Sequence, residues 1–215
     1  MARAAGLPLI LAAAALAGCG GGGNSADTSS PPPSTAQSGA TGACPVTGKP
    51  VNLPRLDPAK TYTVTTKTNL GTFAFTLDVK DSPCTTASFV SLVRKKFFDG
   101  TTFHRIVPGF VIQGGDPTGT GQGGPGYSVV DTPPSDAKYT KGVVAMAKTS
   151  AEPPGTSGSQ FFVVTAADAG LPPDYALLGK VSSGLDVVER IGRLGNPATE
   201  RPTRRISVES MTVSP

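Results

Sequence analysis

The chain has 215 residues, of which 38% are hydrophobic, 27 are glycine and 21 are proline, and its formal net charge at pH 7 is +4. Most of the hydrophobic residues follow about residue 50, and that part of the chain is long enough to bury a single core. The basic residues are dispersed and are not interleaved with aromatic residues, which argues against a nucleic-acid-binding protein.

Residues 1–18 have the pattern of a secretory signal. A short positive region, Met1–Arg3, precedes an apolar stretch from Ala4 to Ala17. This stretch is shorter than the ~20 residues with which a helix crosses a bilayer, and Gly6 and Pro8 interrupt it. The pattern therefore predicts a cleaved signal peptide and not an anchor helix.

The signal ends in Leu16-Ala17-Gly18-Cys19, which resembles the bacterial lipobox. The resemblance implies that Cys19 receives a lipid that includes palmitate, becomes the first residue of the mature protein and anchors it outside the cytoplasm at the bacterial cell membrane. The alternative is a chance cysteine after an alanine-rich signal. Residues 19–43 lack large apolar side chains, so they cannot offset their ordering entropy, and we expect a disordered tether.

The domain expected at residues 44–215 begins with strand and helix signals. Apolar and polar residues alternate from Tyr62 to Val79 on both sides of a break at Asn69–Gly71, which predicts a β-hairpin with one buried face. Ser82 and Pro83 then predict the start of a helix, with Ser82 as its cap.

The elements that follow are short. A second helix is predicted at Leu185–Ile191, because its apolar residues fall on one side. Further strands are predicted at residues 103–107, 110–113, 143–147, 160–164, 176–181 and 206–213. Many antiparallel strands with two helices predict a mainly β fold, a closed barrel with capped ends.

The most informative run extends from Phe103 to Asp116. It places His104, the chain's single histidine, beside Arg105, and Phe110 and Gln113 follow. These residues combine a strong hydrogen-bond donor with an apolar wall and offer no nucleophile. By periodicity alone, the apolar members fit an ordinary barrel core better than a binding site.

This run and the downstream block Gly158-Ser159-Gln160-Phe161-Phe162 closely resemble the signature of the cyclophilins, which are peptidyl-prolyl cis-trans isomerases. The resemblance extends from about Tyr62 to Val213. It implies an eight-stranded antiparallel barrel with a helix over each opening. It also implies isomerisation of X-Pro bonds with no cofactor, no metal and no covalent intermediate.

The resemblance assigns roles to individual residues. Arg105 is the expected catalytic residue, a donor aimed at the prolyl nitrogen while Gln113 holds another of its N–H groups. The residues expected to contact substrate are His104 at the pocket edge, Phe110, Val111, Gln113, Met146, Ala147, Lys148, Gln160, Phe162, Leu171 and Tyr175.

The loop Gly119–Gly124 formally matches G-x-G-x-x-G, but Pro125 and a proline-rich segment follow it where a nucleotide site needs a helix. In cyclophilins this loop lines a second pocket that accepts the residues preceding the proline. A flexible connector is the alternative.

If Cys19 carries lipid, Cys44 and Cys84 remain as a pair. In an oxidising compartment a disulfide between them is permitted, and two unpaired buried thiols are the alternative. We expect no metal site, because no CxxC spacing occurs and the single histidine belongs to another motif.

The sequence thus predicts a monomeric, lipid-anchored prolyl isomerase or chaperone acting on unfolded or proline-containing polypeptides of the cell envelope. The alternatives are a cyclophilin-like module that binds proline-containing segments without turnover and, more remotely, a hydrolase that uses His104. Gly170 stands where many cyclophilins carry tryptophan, so we expect weak binding of cyclosporin.

Overall fold

The computed structural model describes residues 44–215, which contain eleven strands and two helices. The predicted signal peptide, the predicted lipidation site Cys19 and the predicted tether lie outside this part of the chain. The elements are β1 (Thr47–Gly48), β2 (Thr63–Thr68), β3 (Gly71–Leu77), α1 (Pro83–Arg94), β4 (Arg105–Val107), β5 (Val111–Gly114), β6 (Tyr127–Val130), β7 (Val143–Met146), β8 (Thr156–Ser157), β9 (Phe161–Val164), β10 (Leu177–Ser183), α2 (Leu185–Gly192) and β11 (Val208–Ser214).

The predicted hairpin forms between β2 and β3, and α1 begins with Pro83 in its first turn, as the sequence indicated. Ser82 is the N-cap residue, as expected, but it makes no side-chain capping bond, and its hydroxyl is buried. The carboxylate of Asp131 instead accepts a hydrogen bond from the backbone N–H of Thr85. Burial raises the pKa of Asp131, and this hydrogen bond opposes the rise. A residue distant in sequence thus satisfies the helix N-terminus.

Eight antiparallel strands form a curled sheet in the order β11-β2-β3-β10-β7-β9-β5-β4. The expected closed barrel is wrong, because β4 and β11 remain the two edges of this sheet. The N–H of Ile106 in β4 donates to the carbonyl of Glu200 at 2.7 Å, so a loop covers that edge. Thr102 and Ser207, which precede β4 and β11, form a single bridge. The sheet is therefore an open, curled half-barrel.

A second, three-stranded sheet has the order β1-β6-β8 and was not predicted from the sequence. Its strands are two to four residues long, which is too short for a periodic signal. The structure joins Cys44, just before β1, to Cys84 of α1 in a disulfide with a Cα–Cα distance of 5.4 Å.

Alternation along the strands divides the apolar residues of the main sheet into two clusters. One side, with Val144, Phe161 and Val163, packs with both helices into the main core. The other side, with Ala145 and Phe162, forms a separate cluster on the outer face. This outer cluster is the base on which the candidate site is built. No helix within residues 44–215 has the length and apolar character needed to span a membrane.

Candidate active site

Arg105 lies on the edge strand β4, directly across from Gln113 of β5. Its side chain is 36% exposed. Its Nε donates to Oε2 of Glu200 at 2.7 Å, and its Nη1 donates to Oε1 of Gln113 at 3.3 Å. Its Nη2 makes no hydrogen bond to any other residue of 44–215, so the outer end of the guanidinium remains available to a ligand.

Glu200 was missed by the sequence analysis. It lies between α2 and β11 with a φ of 56°, a left-handed conformation that a residue other than glycine rarely adopts. Its N–H donates to the carbonyl of Asn196 at 2.8 Å, and its own carbonyl accepts from Ile106. The backbone is thus held on both sides while the carboxylate meets Arg105. No local pattern indicates a pairing between residues 95 positions apart.

Beside the guanidinium is a small cleft of about 180 Å³. The residues around it come from three strands and three loops, and each was among the expected substrate or catalytic residues: Arg105, Phe110, Val111, Gln113, Ala147, Lys148, Phe162, Leu171 and Tyr175. The cleft therefore combines two cationic side chains, Arg105 and Lys148, with mostly apolar neighbours.

Tyr139, a second residue missed from sequence, supports one wall of the small cleft. Its hydroxyl donates to the carbonyl of Tyr175 at 2.6 Å and accepts from the N–H of Tyr175 at 3.0 Å. Burial raises the pKa of Tyr139 to about 12, so the hydroxyl stays protonated and keeps donating. The ring of Tyr175 in turn meets that of Phe162 edge-to-face, with centroids 5.5 Å apart.

A larger cleft of about 500 Å³ adjoins the first and shares Gln113, Ala147 and Lys148 with it. Gln113 Nε2 donates to Gln160 Oε1 at 3.0 Å, and Gln160 Nε2 donates to the carbonyls of Gly121 and Gly123 at 3.0 and 2.9 Å. These contacts join the guanidinium of Arg105 to the glycine-rich loop. That loop lines the larger cleft, as the resemblance implied.

The fully buried Asp116 organises the glycine-rich loop. Its carboxylate accepts from the N–H and hydroxyl of Thr118 at 2.7 and 2.8 Å, from Gly123 N–H at 3.1 Å and from Gly121 N–H. Burial alone would raise the pKa of Asp116, but these four hydrogen bonds outweigh it and lower the pKa to about 2. Asp116 is therefore ionised and holds the loop in place.

Two expected contact residues lie elsewhere. Met146 is 1% exposed and belongs to the main core, because alternation places Ala145 of β7 and Ala147, the residue after β7, in the outer cluster. His104 is part-buried, lines neither cleft, and makes no hydrogen bond through its ring nitrogens within residues 44–215. Burial lowers the pKa of His104, and the negative charge of Asp116 opposes this shift only in part.

The arrangement can bind a small apolar ring and direct a permanent cation at it. Within residues 44–215 the ring nitrogens of His104 make no hydrogen bond to a hydroxyl or carboxylate group, so the arrangement gives no support to a hydrolase in which His104 is the general base. Within residues 44–215, no group of three or more His, Cys, Asp or Glu side chains is placed to hold a metal ion.

Comparison with known proteins agrees with this geometry. Residues 62–213 match the family described as "Cyclophilin type peptidyl-prolyl cis-trans isomerase/CLD". The chain is 37% identical over 175 residues to peptidyl-prolyl cis-trans isomerase A of Mycobacterium tuberculosis, covering 73% of this chain and 94% of that protein. It is 38% identical over 146 residues to human peptidyl-prolyl cis-trans isomerase-like 1, covering 66% and 86%.

Solved structures show the same similarity. A cyclophilin-type peptidyl-prolyl cis-trans isomerase of Cryptosporidium parvum matches with a TM-score of 0.65 and 29% identity, over 73% of this chain and 99% of that one. The same parasite protein solved in the presence of the dipeptide Ala-Pro matches with a TM-score of 0.64 and 29% identity, over 71% and 99%.

Proposed function

The chain belongs to the cyclophilin-type peptidyl-prolyl cis-trans isomerase family and is such an isomerase, and we propose that Arg105 is the residue that lowers its reaction barrier. Rotation about an X-Pro bond faces a barrier of about 18–20 kcal/mol, because the amide is partly double-bonded. A donor to the prolyl nitrogen favours the twisted state, in which that nitrogen regains its lone pair, over the planar states. Nη2 of Arg105 is the group available to donate.

The small cleft takes the proline ring in this proposal. Phe110, Phe162 and Leu171 provide apolar contact and exclude water, which strengthens the field of the guanidinium. The Cryptosporidium parvum isomerase was solved in the presence of Ala-Pro, which supports a proline-containing peptide as the ligand of this cleft. The substrate backbone then runs past Gln113 and Ala147 toward the larger cleft.

The size of the contribution from Arg105 follows from its charge. A charge-assisted hydrogen bond contributes about 1.5–3 kcal/mol, which corresponds to roughly 10- to 100-fold in rate. Positioning and desolvation of the substrate by the cleft supply the remaining acceleration.

The decisive experiment compares Arg105→Ala with the wild type in peptide isomerisation, measured by NMR exchange or by a coupled assay. We expect kcat/KM to fall 10- to 100-fold, with Arg105→Lys between the two because lysine keeps the charge and loses the planar fork. Arg204→Ala, at an exposed arginine outside both clefts, is the matched control and keeps full activity. Full activity of Arg105→Ala refutes the assignment.

We also propose that the enzyme works outside the cytoplasm, as a lipid-anchored monomer that accelerates folding of secreted or cell-envelope proteins. The lipobox-like Leu16–Cys19 and the polar segment 19–43 support the anchor. The Cys44–Cys84 disulfide supports an oxidising compartment.

The anchor is tested by expressing the full chain in a lipoprotein-processing bacterium with labelled palmitate. We expect label and membrane association in the wild type, and both lost in Cys19→Ala. Cys44→Ala is the control and keeps both. Membrane association that survives Cys19→Ala overturns the anchor.

A further inference from the structure

Two residues that precede the family match line the larger cleft. Thr47 and Gly48 form β1 and face this cleft, whereas the match to the family begins at residue 62. Residues Cys44–Lys49, here named the N-terminal wall, are therefore an addition to the matched region that reaches a ligand cleft.

Backbone pairing holds the N-terminal wall only weakly. Thr47 pairs with Ser128 and Gly48 with Tyr127 of β6, and the N–H of Lys49 donates to the carbonyl of Gly126 at 2.9 Å. Thr47, Gly48 and Lys49 are exposed. A two-residue strand with exposed hydrogen bonds contributes little stability by itself.

The disulfide supplies the missing constraint. Cys44 is bonded to Cys84 in the first turn of α1, and Ser88 of the same helix shares a hydrogen bond of 3.1 Å with the hydroxyl of Tyr127 in β6. The N-terminal wall is thus attached to α1 at one end and to β6 at the other, and β6 is attached to α1. Without the disulfide, the wall is held by the β1–β6 contacts and by its chain connection to Leu53 and Leu56, which pack on the main core.

The residues that line the larger cleft together with Thr47 and Gly48 are mostly polar residues and glycines. They include Lys148, Glu152, Ser128 and Thr149. Large apolar side chains are nearly absent from this lining, in contrast to the small cleft. Such a surface suits a polar or charged side chain.

We propose that the N-terminal wall is a specificity-determining part of the larger cleft, where it selects polar side chains beside the substrate's proline, and that the Cys44–Cys84 disulfide keeps it in place. The proposal rests on the proposed function, which puts the proline in the small cleft. The clefts share Gln113, Ala147 and Lys148, so a peptide bound in one continues into the other.

The first test uses the double variant Cys44→Ser/Cys84→Ser in the full chain. Its substrates are proline tetrapeptides that carry Ala, Leu, Ser, Lys or Glu at one position before the proline, and a matched series varied after the proline. Both kcat/KM and peptide affinity are measured, so selection is observed even for a protein that binds without turnover. Hydrogen exchange reports whether residues 44–49 have detached.

In the double variant we expect selectivity within one peptide series, measured as the ratio of kcat/KM values or affinities, to fall about three- to fivefold. The kcat/KM and affinity for the Ala peptide stay within twofold of the wild-type values. An unchanged selectivity profile with a detached wall overturns the proposal. A uniform fall for all peptides also overturns it, because it indicates damage to the small cleft or to the fold. If the wild-type protein isomerises none of the peptides, the proposed function fails. The affinities for the two peptide series then still decide the role of the wall.

The second test leaves the disulfide intact and places a charge on the wall. Thr47→Glu favours peptides with Lys over peptides with Glu by about three- to fivefold relative to the wild type. Thr212→Glu has the same charge change at an exposed β11 residue outside both clefts and leaves the ratio unchanged. Equal ratios in the two variants refute a role for the wall.

Discussion

Glu200 accepts a hydrogen bond of 2.7 Å from Nε of Arg105, although 95 residues separate the two. This contact uses Nε of Arg105, and Nη2 donates to no other residue of 44–215. Together with the 3.3 Å contact from Nη1 to Gln113, it fixes the plane of the fork. Glu200 therefore acts as a positioning residue for the proposed donor.

We predict that Glu200→Gln lowers kcat/KM about fivefold. The pair is partly exposed, so its loss is worth about 1 kcal/mol after solvent screening. In an Arg105→Ala background the same substitution has no further effect, because the two residues act as a unit. The exposed Lys67–Glu209 pair provides the control, and Glu209→Gln is fully active. Additive losses in the double variant contradict the positioning role.

Asp116→Asn destabilises the folded protein by roughly 2 kcal/mol at pH 7, as measured by chemical denaturation. The pKa of Asp116 is about 2, below its value of 3.8 as a free group, so its ionisation stabilises the fold above about pH 4. This contribution is lost as the pH falls through 2. The variant and the wild type therefore converge in stability at low pH. The exposed Asp136→Asn serves as the control, and a constant difference across pH 2–7 contradicts this origin.

His104 is expected to be dispensable for catalysis. Burial lowers its pKa below 6.5, so the imidazole is neutral at pH 7 and no ionisation of His104 enters kcat/KM between pH 6.5 and 8. We predict that His104→Gln retains kcat/KM within about threefold, less than the loss of one charged hydrogen bond. A pH-rate inflection near 6.5 that disappears in this variant contradicts the prediction.

The same lowered pKa has a consequence for stability. Below pH 6.5 the unfolded chain binds a proton at His104 that the folded chain does not, so the wild type loses stability as the pH falls through this range. His104→Gln lacks this dependence. Thermal melts between pH 7 and pH 5 measure the difference between the two proteins.

We predict that cyclosporin inhibits this isomerase with a potency about tenfold lower than its potency against a cyclophilin that carries the tryptophan. A tenfold difference corresponds to the loss of one hydrogen bond. The exposed Gly170 has a φ of 62°, and this backbone conformation is unfavourable for a residue with a side chain. Gly170→Trp therefore regains only part of the inhibition. Inhibitor titration of the peptide assay measures all three proteins, and equal potency for the unmodified chain refutes the prediction.

Local signals in the sequence determined most of the elements and the composition of the small cleft. Alternation of apolar residues predicted β2 and β3, and helical spacing predicted α1 and α2, because each pattern lies within one segment. The motif around Arg105 and Phe162 indicated the family and its active-site side chains. A resemblance carried this step, because periodicity does not distinguish a cleft wall from a core.

The tertiary structure decided what depends on contacts between distant segments. Glu200 contacts Arg105, Asp131 accepts a hydrogen bond from the first turn of α1, and a loop covers the edge strand β4 of a sheet that was expected to be a closed barrel. Met146 lies in the main core and not in the small cleft, because its sequence neighbours belong to the outer cluster and alternation turns Met146 inward. The disulfide and β6 hold the N-terminal wall beside the larger cleft. No local pattern in the sequence indicates these contacts, because each depends on the path of the whole backbone.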